Sequence, residues 1–514
     1  MRSRRLIPLV ATGVVATLAP GPARAAAADP EAVPQKPVWR QCSAPELSGS
    51  QCAHIKVPLD YRHPDGKKID LAISRIRTST AGKRRGVLLF NPGGPGLAGL
   101  SMPQIMKDKL PESVRDQFDL IGFDPRGVGR SSPVTCGLTD EEQEWSNRPY
   151  RPASFSRDVA LARTVADKCH AKAGDTLPHL TTRNTARDMD VIRSVLGEQK
   201  ISYFGASYGT YLGAVYTQMF PGRTDRFVLD SAVDPNRFGR GTIQAWASGA
   251  EQAFSRWAQW TAQRHALYGL GDTPAKVKKT FWDLVARADR TPIRLDGKSL
   301  TGDDIRARRR MFFTVRDAAE KVVELRKAAA GRKKAAAAGP REEPVGEPSG
   351  DNTTVGFWSI VCGDAQDWPR DPAQYRHDAL RDKEKYPLYG DFASHIKPCA
   401  FWGNGSEPTT IVNNDIDVLI LQNQWDSQTP LASAQGMHRA LKGSRMIYVA
   451  DGEGHGVYGS DPNSCADKAA NAYLSTGRLP DKDVACRATD GQKHDSAKRL
   501  IPKPRRPLSS PDRS

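Results

Sequence analysis

The stretch Ile201-Ser-Tyr-Phe-Gly-Ala-Ser-Tyr-Gly-Thr-Tyr-Leu212 joins two different patterns through a serine that is flanked by glycines. Ile201–Phe204 is a short apolar run typical of a buried strand, and Tyr208–Met219 has the pattern of a helix. Between them, Gly205–Gly209 reads G-x-S-x-G. In a strand–turn–helix setting, this turn holds its serine in a strained backbone with the hydroxyl pointing outward. The pattern favours Ser207 as a nucleophile over a serine in a flexible glycine loop.

Further apolar runs on both sides of this stretch predict more strands of the same sheet. The predicted strands are Val87–Phe90, Phe118–Phe123, Phe227–Asp230, Val418–Leu421 and Met446–Val449. Helical patterns lie between them, including Asp188–Leu196 and Leu431–Leu441. Alternation of strands and helices is typical of a largely parallel α/β sheet. We therefore assign residues 38–235 and 403–490 to the two parts of one α/β core.

The strand pattern is lost between the two parts of the core. Residues 236–402 are rich in helix-like segments with Ala, Arg, Lys and Trp, and they predict a helical lid inserted into the core. Within this insertion, residues 328–354 are rich in Gly, Pro, Ala and charged side chains and show no periodicity. This composition predicts a mobile loop.

The N-terminal residues have the three parts of a secretory signal peptide. Arg2, Arg4 and Arg5 precede an apolar run from Leu6 to Ala19, and Ala23-Arg-Ala25 is a small-x-small cleavage site. The run is too short to predict a permanent membrane helix, so no stable membrane insertion is expected. We expect residues 1–25 to be removed on export, by either the general or the twin-arginine route. Residues 26–37 would follow as an N-terminal segment or propeptide. Export by a signal peptide predicts that the protein is secreted and extracellular.

An even number of cysteines in an exported chain indicates disulfides rather than a metal site. No C-x-x-C or H-E-x-x-H motif is present, so the sequence predicts no bound metal. Eight cysteines allow 105 connectivities. We expect neighbours to pair because each pair falls within one local stretch of chain, which gives Cys42 with Cys52, Cys136 with Cys169, Cys362 with Cys399, and Cys465 with Cys486.

The net charge of +17 is concentrated in two segments. Residues 303–334 hold 11 basic and 5 acidic side chains, and residues 493–514 hold 7 and 2. We interpret this charge as a source of solubility or weak surface attraction rather than as a nucleic-acid site. Residues 491–514, rich in Pro and Arg, predict a basic disordered tail.

A serine nucleophile needs a base and a carboxylate that orients the base. His455 lies in a Gly-rich loop just after the strand Met446–Val449, where an imidazole would lie over the strand ends, whereas the other nine histidines lack this setting. Asp426 follows the strand Val418–Leu421 and precedes a helix. Helix capping is the competing role for Asp426, but Ser427 and Thr429 are nearer the helix start.

The reaction also needs two N–H donors for the oxyanion. The Tyr208 N–H, directly after the nucleophile, is one candidate. The turn Asn91–Gly96 supplies the other, and Gly94 is favoured because Pro92 and Pro95 have no N–H. A plain structural turn is the competing interpretation of these glycines.

Five motifs together resemble those of a known family in their order and spacing. They are Asn91–Gly96, Asp124–Ser131, Gly205–Gly209, the Asp426 loop with Thr429-Pro430, and Gly454-His455. The set is similar to that of the α/β-hydrolases, and more closely resembles the secreted tripeptidyl aminopeptidases of actinomycete bacteria, which are related to proline iminopeptidases. The resemblance runs from about Val38 to Arg487. Many relatives have extra lid cysteines near the position of His265, and this chain has none there, which leaves substrate preference open.

The resemblance implies a serine exopeptidase that removes a short peptide, often a tripeptide, from a free N-terminus. Ser207 would be the nucleophile, His455 the general base and acid, and Asp426 the orienting carboxylate. In relatives, acidic lid residues bind the substrate's α-ammonium, and Glu251 and Asp364 are the candidates here. A role for both as solvated surface carboxylates stays open.

No metal or organic cofactor is implied. The expected partners are peptides with a free N-terminus, and the protein is expected to be a monomer. Two other functions remain open. A secreted carboxylesterase would use the same triad, and a hydrolase-like binding protein without activity would use the basic segments to hold anionic polymers.

Overall fold

The computed structural model describes residues 35–144, 148–331 and 350–489. The predicted signal peptide, most of segment 26–37, the basic tail and residues 332–349 of the predicted loop lie outside them. In the described ranges, ten strands form one sheet and two form a separate hairpin. The strands are β1 (Arg40–Gln41), β2 (Gln51–Pro58), β3 (Lys68–Ile76), β4 (Gly86–Asn91), β5 (Phe118–Phe123), β6 (Ile201–Ala206), β7 (Thr224–Asp230), β8 (Ile293–Leu295), β9 (Lys298–Leu300), β10 (Val418–Trp425), β11 (Arg445–Glu453) and β12 (Val484–Arg487).

The order of strands across the sheet is β1-β2-β3-β5-β4-β6-β7-β10-β11-β12. The first three strands are antiparallel and join β5 in antiparallel register, whereas all neighbours from β5 to β12 are parallel. All six strands predicted from apolar runs are present. Because parallel strands end at the same edge of a sheet, the loops after β4, β6, β7, β10 and β11 meet there.

Helices cover both faces of the sheet and form most of the insertion. In chain order they are α1 (Met102–Lys107), α2 (Glu112–Arg115), α3 (Asp140–Gln143), α4 (Phe155–Ala173), α5 (Thr182–Val195), α6 (Tyr208–Met219), α7 (Arg240–Ala262), α8 (His265–Tyr268), α9 (Pro274–Arg290), α10 (Gly302–Ala307), α11 (Val315–Ala329), α12 (Asn352–Gly363), α13 (Pro372–Lys385), α14 (Gly390–Ala393), α15 (Leu431–Ala440) and α16 (Cys465–Thr476). We call residues 236–402, with α7 to α14, the lid.

Two details of the lid differ from the sequence-based expectation. The hairpin β8–β9 lies inside a region for which no strand was predicted, because its strands of three residues are too short to show a periodic pattern. The predicted loop 328–354 is also too long at both ends. Helix α11 continues to Ala329, and α12 begins at Asn352, whose side chain bonds to the backbone of the core.

The lid has an aromatic core of its own. Phe254 and Trp257 of α7 contact Phe281 of α9 and Phe312, with ring centroids 5.0–6.2 Å apart. These rings are buried, and burial of large aromatic side chains is the main source of stability for such a cluster. Phe254 and Trp257 of α7 thus serve mainly to build the lid.

All eight cysteines are described, and they form the four neighbour pairs expected from the sequence. Cys362–Cys399 joins α12 to the last turn of the lid, and Cys465–Cys486 joins α16 to β12. Such links stabilise a fold chiefly by restricting the unfolded chain. Within the described ranges, no helix is both long and apolar enough to cross a membrane.

Candidate active site

Ser207 lies in the tight turn between β6 and α6, as the G-x-S-x-G motif predicts. Its backbone has φ 57° and ψ −122°, a strained conformation for a residue other than glycine. The glycines on each side are required by packing. A Cβ on Gly205 would lie 2.4 Å from the Gly209 carbonyl oxygen, and a Cβ on Gly209 would lie 2.8 Å from the Asn91 carbonyl oxygen. The turn therefore fixes Ser207 at the carboxyl edge of the sheet.

Asp426 and His455 follow the adjacent strands β10 and β11 and are in contact. His455 Nδ1 lies 2.8 Å from Asp426 Oδ2. Because an ionised carboxylate only accepts hydrogen bonds, this contact places the imidazole proton on Nδ1 and leaves Nε2 as the basic atom. Nε2 is buried and has no hydrogen-bond partner among the residues that the structure describes.

The Asp426 carboxylate is held by its own loop. Oδ1 accepts hydrogen bonds from the backbone N–H groups of Gln428 at 2.8 Å and Thr429 at 3.0 Å. The Thr429 hydroxyl donates to Oδ2 at 2.8 Å. Asp426 is 2% exposed, so these bonds replace the water that a carboxylate would otherwise bind. Both oxygens have fixed positions before any substrate binds.

The dipeptide Asp230-Ser231, at the end of β7, bonds to the serine turn and to the histidine loop. The Asp230 carbonyl oxygen accepts the Ser207 N–H at 2.9 Å, and its carboxylate accepts the Val457 and Tyr458 N–H groups, each at 2.9 Å. The Ser231 hydroxyl accepts the Gly456 N–H at 2.8 Å. Burial raises the pKa of Asp230. These bonds bring the loops of the predicted nucleophile and base to the same edge of the sheet.

Asn423 shapes the histidine loop from the neighbouring strand. Its side-chain amide donates to the carbonyl oxygens of Glu453, Gly454 and Gly456, at distances of 3.0–3.3 Å. Sequence reasoning missed Asn423 and Asp230. The signal that could have found them is a polar residue near the carboxyl end of an apolar strand, where α/β sites form.

A cavity adjoins Ser207, and the space inside it, part of which is open to solvent, is about 370 Å³. Among the described residues that line it, none carries a charged side chain. The apolar part of the wall comes from the β7–α7 connection, from α7 and from α12, and it consists of Val233, Phe238, Ile243, Trp246, Phe357 and Val361. Because most of this wall is apolar, the cavity suits a short, largely apolar group.

The two predicted oxyanion donors belong to residues that line this cavity beside Ser207. Gly94 has φ 104°, a conformation that favours glycine, and Tyr208 is the first residue of α6. The neighbouring Gly93 N–H donates to the Asn91 side chain at 3.0 Å and is already used. The arrangement suits stabilisation of a negative oxygen next to Ser207, and the donor roles of Gly94 and Tyr208 stay predictions.

The two predicted amine-binding carboxylates have structural contacts. Glu251 accepts the Leu388 N–H at 3.1 Å, and Asp364 accepts the Thr182 N–H at 3.0 Å at the start of α5. Burial raises the pKa of Glu251, and it raises the pKa of Asp364 to about 7. Neither residue is among those that line the cavity. Their role in amine binding stays a prediction.

Two family models match the chain. Residues 86–288 match the model of the alpha/beta hydrolase fold, and residues 386–486 match the model of TAP-like proteins. The first match contains Ser207, and the second contains Asp426 and His455. The gap between the matches falls within the lid.

Three curated proteins are similar over most of their length. A tripeptidyl aminopeptidase of Streptomyces lividans is 36% identical over 470 residues, which cover 87% of this chain and 86% of that protein. The serine protease Hip1 of Mycobacterium tuberculosis is 29% identical, with 90% and 93% covered. A carboxylesterase B of Mycobacterium tuberculosis is also 29% identical, with 93% and 95% covered.

Proposed function

Since the chain belongs to the tripeptidyl aminopeptidase family of the α/β-hydrolases, we propose that it is a secreted serine exopeptidase that releases short peptides, chiefly tripeptides, from free N-termini. The observation that carries the proposal is the 2.8 Å contact between His455 and Asp426, which leaves Nε2 of His455 as a base at the same edge of the sheet as the strained Ser207 turn. The four disulfides fit an oxidising, extracellular setting.

The reaction begins with proton transfer from Ser207 Oγ to His455 Nε2 as Oγ attacks the scissile carbonyl carbon. The carbonyl oxygen becomes negative and accepts hydrogen bonds from the N–H groups of Gly94 and Tyr208. The imidazolium then donates its proton to the leaving amine, which departs and leaves a peptidyl ester on Ser207. Asp426 stabilises the imidazolium through Nδ1. A water molecule, deprotonated by His455, hydrolyses the ester and restores Ser207.

The lid explains why the product would be short. Residues of its helices α7 and α12 line the cavity beside Ser207, and this would leave room for a few residues before the scissile bond and not for a long chain. A carboxylate facing the first residue would form a charge-assisted hydrogen bond with the substrate ammonium, which favours free over blocked N-termini. Glu251 and Asp364 remain the candidates for that carboxylate.

A carboxylesterase is the second candidate function. The same triad hydrolyses esters, the wall of the cavity is uncharged, and one similar curated protein is a carboxylesterase. Kinetics on a tripeptide anilide with a free amine, compared with a short acyl ester, separate the two functions.

The deciding experiment is mass spectrometry of products from a mixed peptide library, half of it N-acetylated. Release of tripeptides from the unblocked half alone is the expected result. Internal cleavage of acetylated peptides would overturn the exopeptidase assignment and leave the triad standing. Hydrolysis of short esters with no release from either half would establish the esterase instead.

A further inference from the structure

Glu453 lies at the end of β11, two residues before His455, and two elements of the lid bind it. Arg256 of α7 donates from Nη2 to Oε1 at 2.5 Å, and the Val315 N–H at the start of α11 donates to Oε2 at 3.1 Å. Glu453 is 8% exposed. Both oxygens of a buried core carboxylate are therefore bonded by the lid.

Glu453 is also tied to the histidine loop through its backbone. Its carbonyl oxygen accepts the Asn423 side-chain amide, which also bonds to Gly454 and Gly456 on either side of His455. A shift of Glu453 consequently shifts the backbone that carries the imidazole. Arg256 has a second core contact, since its guanidinium lies 5.1 Å from the centre of the Trp425 ring on β10.

A neighbouring part of the lid contacts the loop that carries Asp426. Arg309 donates to the Gln428 side chain at 2.9 Å, and the Gln428 N–H donates to Asp426 Oδ1. Between the two contacts, the ring of Phe313 lies 6.2 Å from the His455 ring. One lid segment, residues 309–315, therefore contacts the Asp426 loop at its start and Glu453 at its end.

We propose that Glu453 is a positioning residue that couples the lid to His455, so that the seated lid holds the imidazole in its working position for every substrate. The proposal rests on the serine-hydrolase function proposed above and deepens it. The lid then acts on the reaction itself as well as on the size of the substrate. A small substrate that makes little contact with the lid therefore still depends on the contact between Arg256 and Glu453.

The energetic basis is the cost of breaking a buried, charge-assisted contact. Loss of one partner leaves the other charged, buried and unpaired, so the lid and the loop separate or rearrange. Misplacement of a catalytic group by about 1 Å can lower a rate by about 100-fold. A displaced imidazole lowers kcat, whereas a reshaped substrate wall changes KM.

The test compares Glu453→Gln, Arg256→Met and Arg256→Lys with the full-length wild-type enzyme. The substrates are p-nitrophenyl acetate, whose two-carbon acyl group offers the lid little contact surface, and a tripeptide anilide with a free amine. We expect the first two variants to lose about 10- to 100-fold in kcat on both substrates. The ester KM should change little, and Arg256→Lys should recover most of the loss.

Asp378→Asn is the matched control. Asp378 of α13 is a buried carboxylate that accepts a hydrogen bond from Arg240, another arginine of α7, at 2.7 Å. This pair lies within the lid, and Asp378 does not contact the loops of Asp426 or His455. We expect both Asp378→Asn and Glu453→Gln to lose thermal stability. Only the control should keep its ester kcat within about twofold of the wild-type value.

The coupling is refuted if Glu453→Gln and Arg256→Met, both folded by their melting curves, hydrolyse the ester at the wild-type kcat. An equal loss of ester kcat in Asp378→Asn would also refute it, because any damage to the lid would then have the same effect. Failure of the proposed function gives a different result. The wild-type enzyme would then neither hydrolyse the two substrates nor react with a fluorophosphonate.

Discussion

The Nδ1 atom of His455 lies 2.8 Å from Oδ2 of Asp426, although the two residues are 29 positions apart in the chain. They meet because the parallel strands β10 and β11 lie side by side, and each residue sits in the loop that follows its strand. The contact fixes the orientation of the ring and the atom that carries its proton. This pair is the structural centre of the proposed mechanism.

Replacement Asp426→Asn should lower kcat by about 10³- to 10⁴-fold. The amide cannot stabilise the imidazolium, and its NH₂ group favours the tautomer with the proton on Nε2, which cannot act as a base. Steady-state kinetics on a tripeptide anilide measure the effect, with circular dichroism to check the fold. A folded variant within tenfold of the wild-type kcat would remove Asp426 from the mechanism.

Replacement Gly93→Ala should impair both activity and stability. A Cβ at this position would lie 2.4 Å from the Ala206 carbonyl oxygen and 3.0 Å from Ser207 Cβ, and φ is 94°. The clash should cost about 1–3 kcal/mol of stability and shift the serine turn. Urea unfolding and kcat provide the measurements.

Gly222→Ala is the control for that substitution, since a Cβ there meets no atom within 4 Å. It should leave both quantities near their wild-type values. If Gly93→Ala matched this control, the close packing between the Asn91–Gly96 turn and the serine turn would be required for neither activity nor stability.

Much of the sheet and the catalytic candidates could be predicted because their signals are local. A buried parallel strand is a continuous apolar run, and the serine turn has a fixed motif. Asp230, Asn423 and Glu453 could not be predicted in the same way. Asp230 bonds to residues 227 and 228 positions away, and Glu453 pairs with Arg256, 197 positions away. Such contacts exist only once the sheet order and the lid position are set.

The antiparallel strands β1–β3 and the hairpin β8–β9 were not predicted, for a second reason. Along β2, buried side chains alternate with exposed ones, as in a strand with one solvated face, and this gives a weaker signal than a continuous apolar run. The strands of the hairpin have only three residues each. Short or half-exposed strands depend on their neighbours for stability.

The uncharged wall of the cavity predicts a preference at the residue before the cleaved bond. Peptides with Ala, Val or Leu there should be cleaved with a kcat/KM about 10- to 100-fold higher than peptides with Asp or Lys, because burial of an unpaired charge against this wall is unfavourable; this ratio corresponds to about 1–3 kcal/mol. A series of tripeptide anilides varied at that position measures this. Equal rates for Leu and Asp would show that the side chain lies elsewhere.

Asp364 predicts a pH dependence of stability. Burial raises its pKa in the folded protein to about 7, from the ordinary value of 3.8 for an aspartate side chain. The folded state therefore keeps a proton that the unfolded state loses, so this residue lowers stability progressively from about pH 4 to about pH 7 and has no further effect above that. The total loss in the free energy of unfolding is at most about 4 kcal/mol.

Asp364→Asn should remove this loss, since the neutral amide can still accept the Thr182 N–H. Its unfolding free energy, relative to that of the wild type, should rise between pH 4 and pH 7 and then level off. Urea titrations across that range measure the difference. A difference that falls or stays flat as the pH rises would mean that Asp364 is ionised in the folded protein throughout.

Fluorophosphonate labelling tests most directly whether Ser207 is the nucleophile, through the residue that is labelled and the activity that is lost. We expect one adduct per chain, located on Ser207 by peptide mapping, with peptidase activity lost in proportion to labelling. Ser207→Ala should be folded, unlabelled and inactive. A labelled residue other than Ser207, or tripeptide release by folded Ser207→Ala at a rate near that of the wild type, would mean that Ser207 is not the nucleophile.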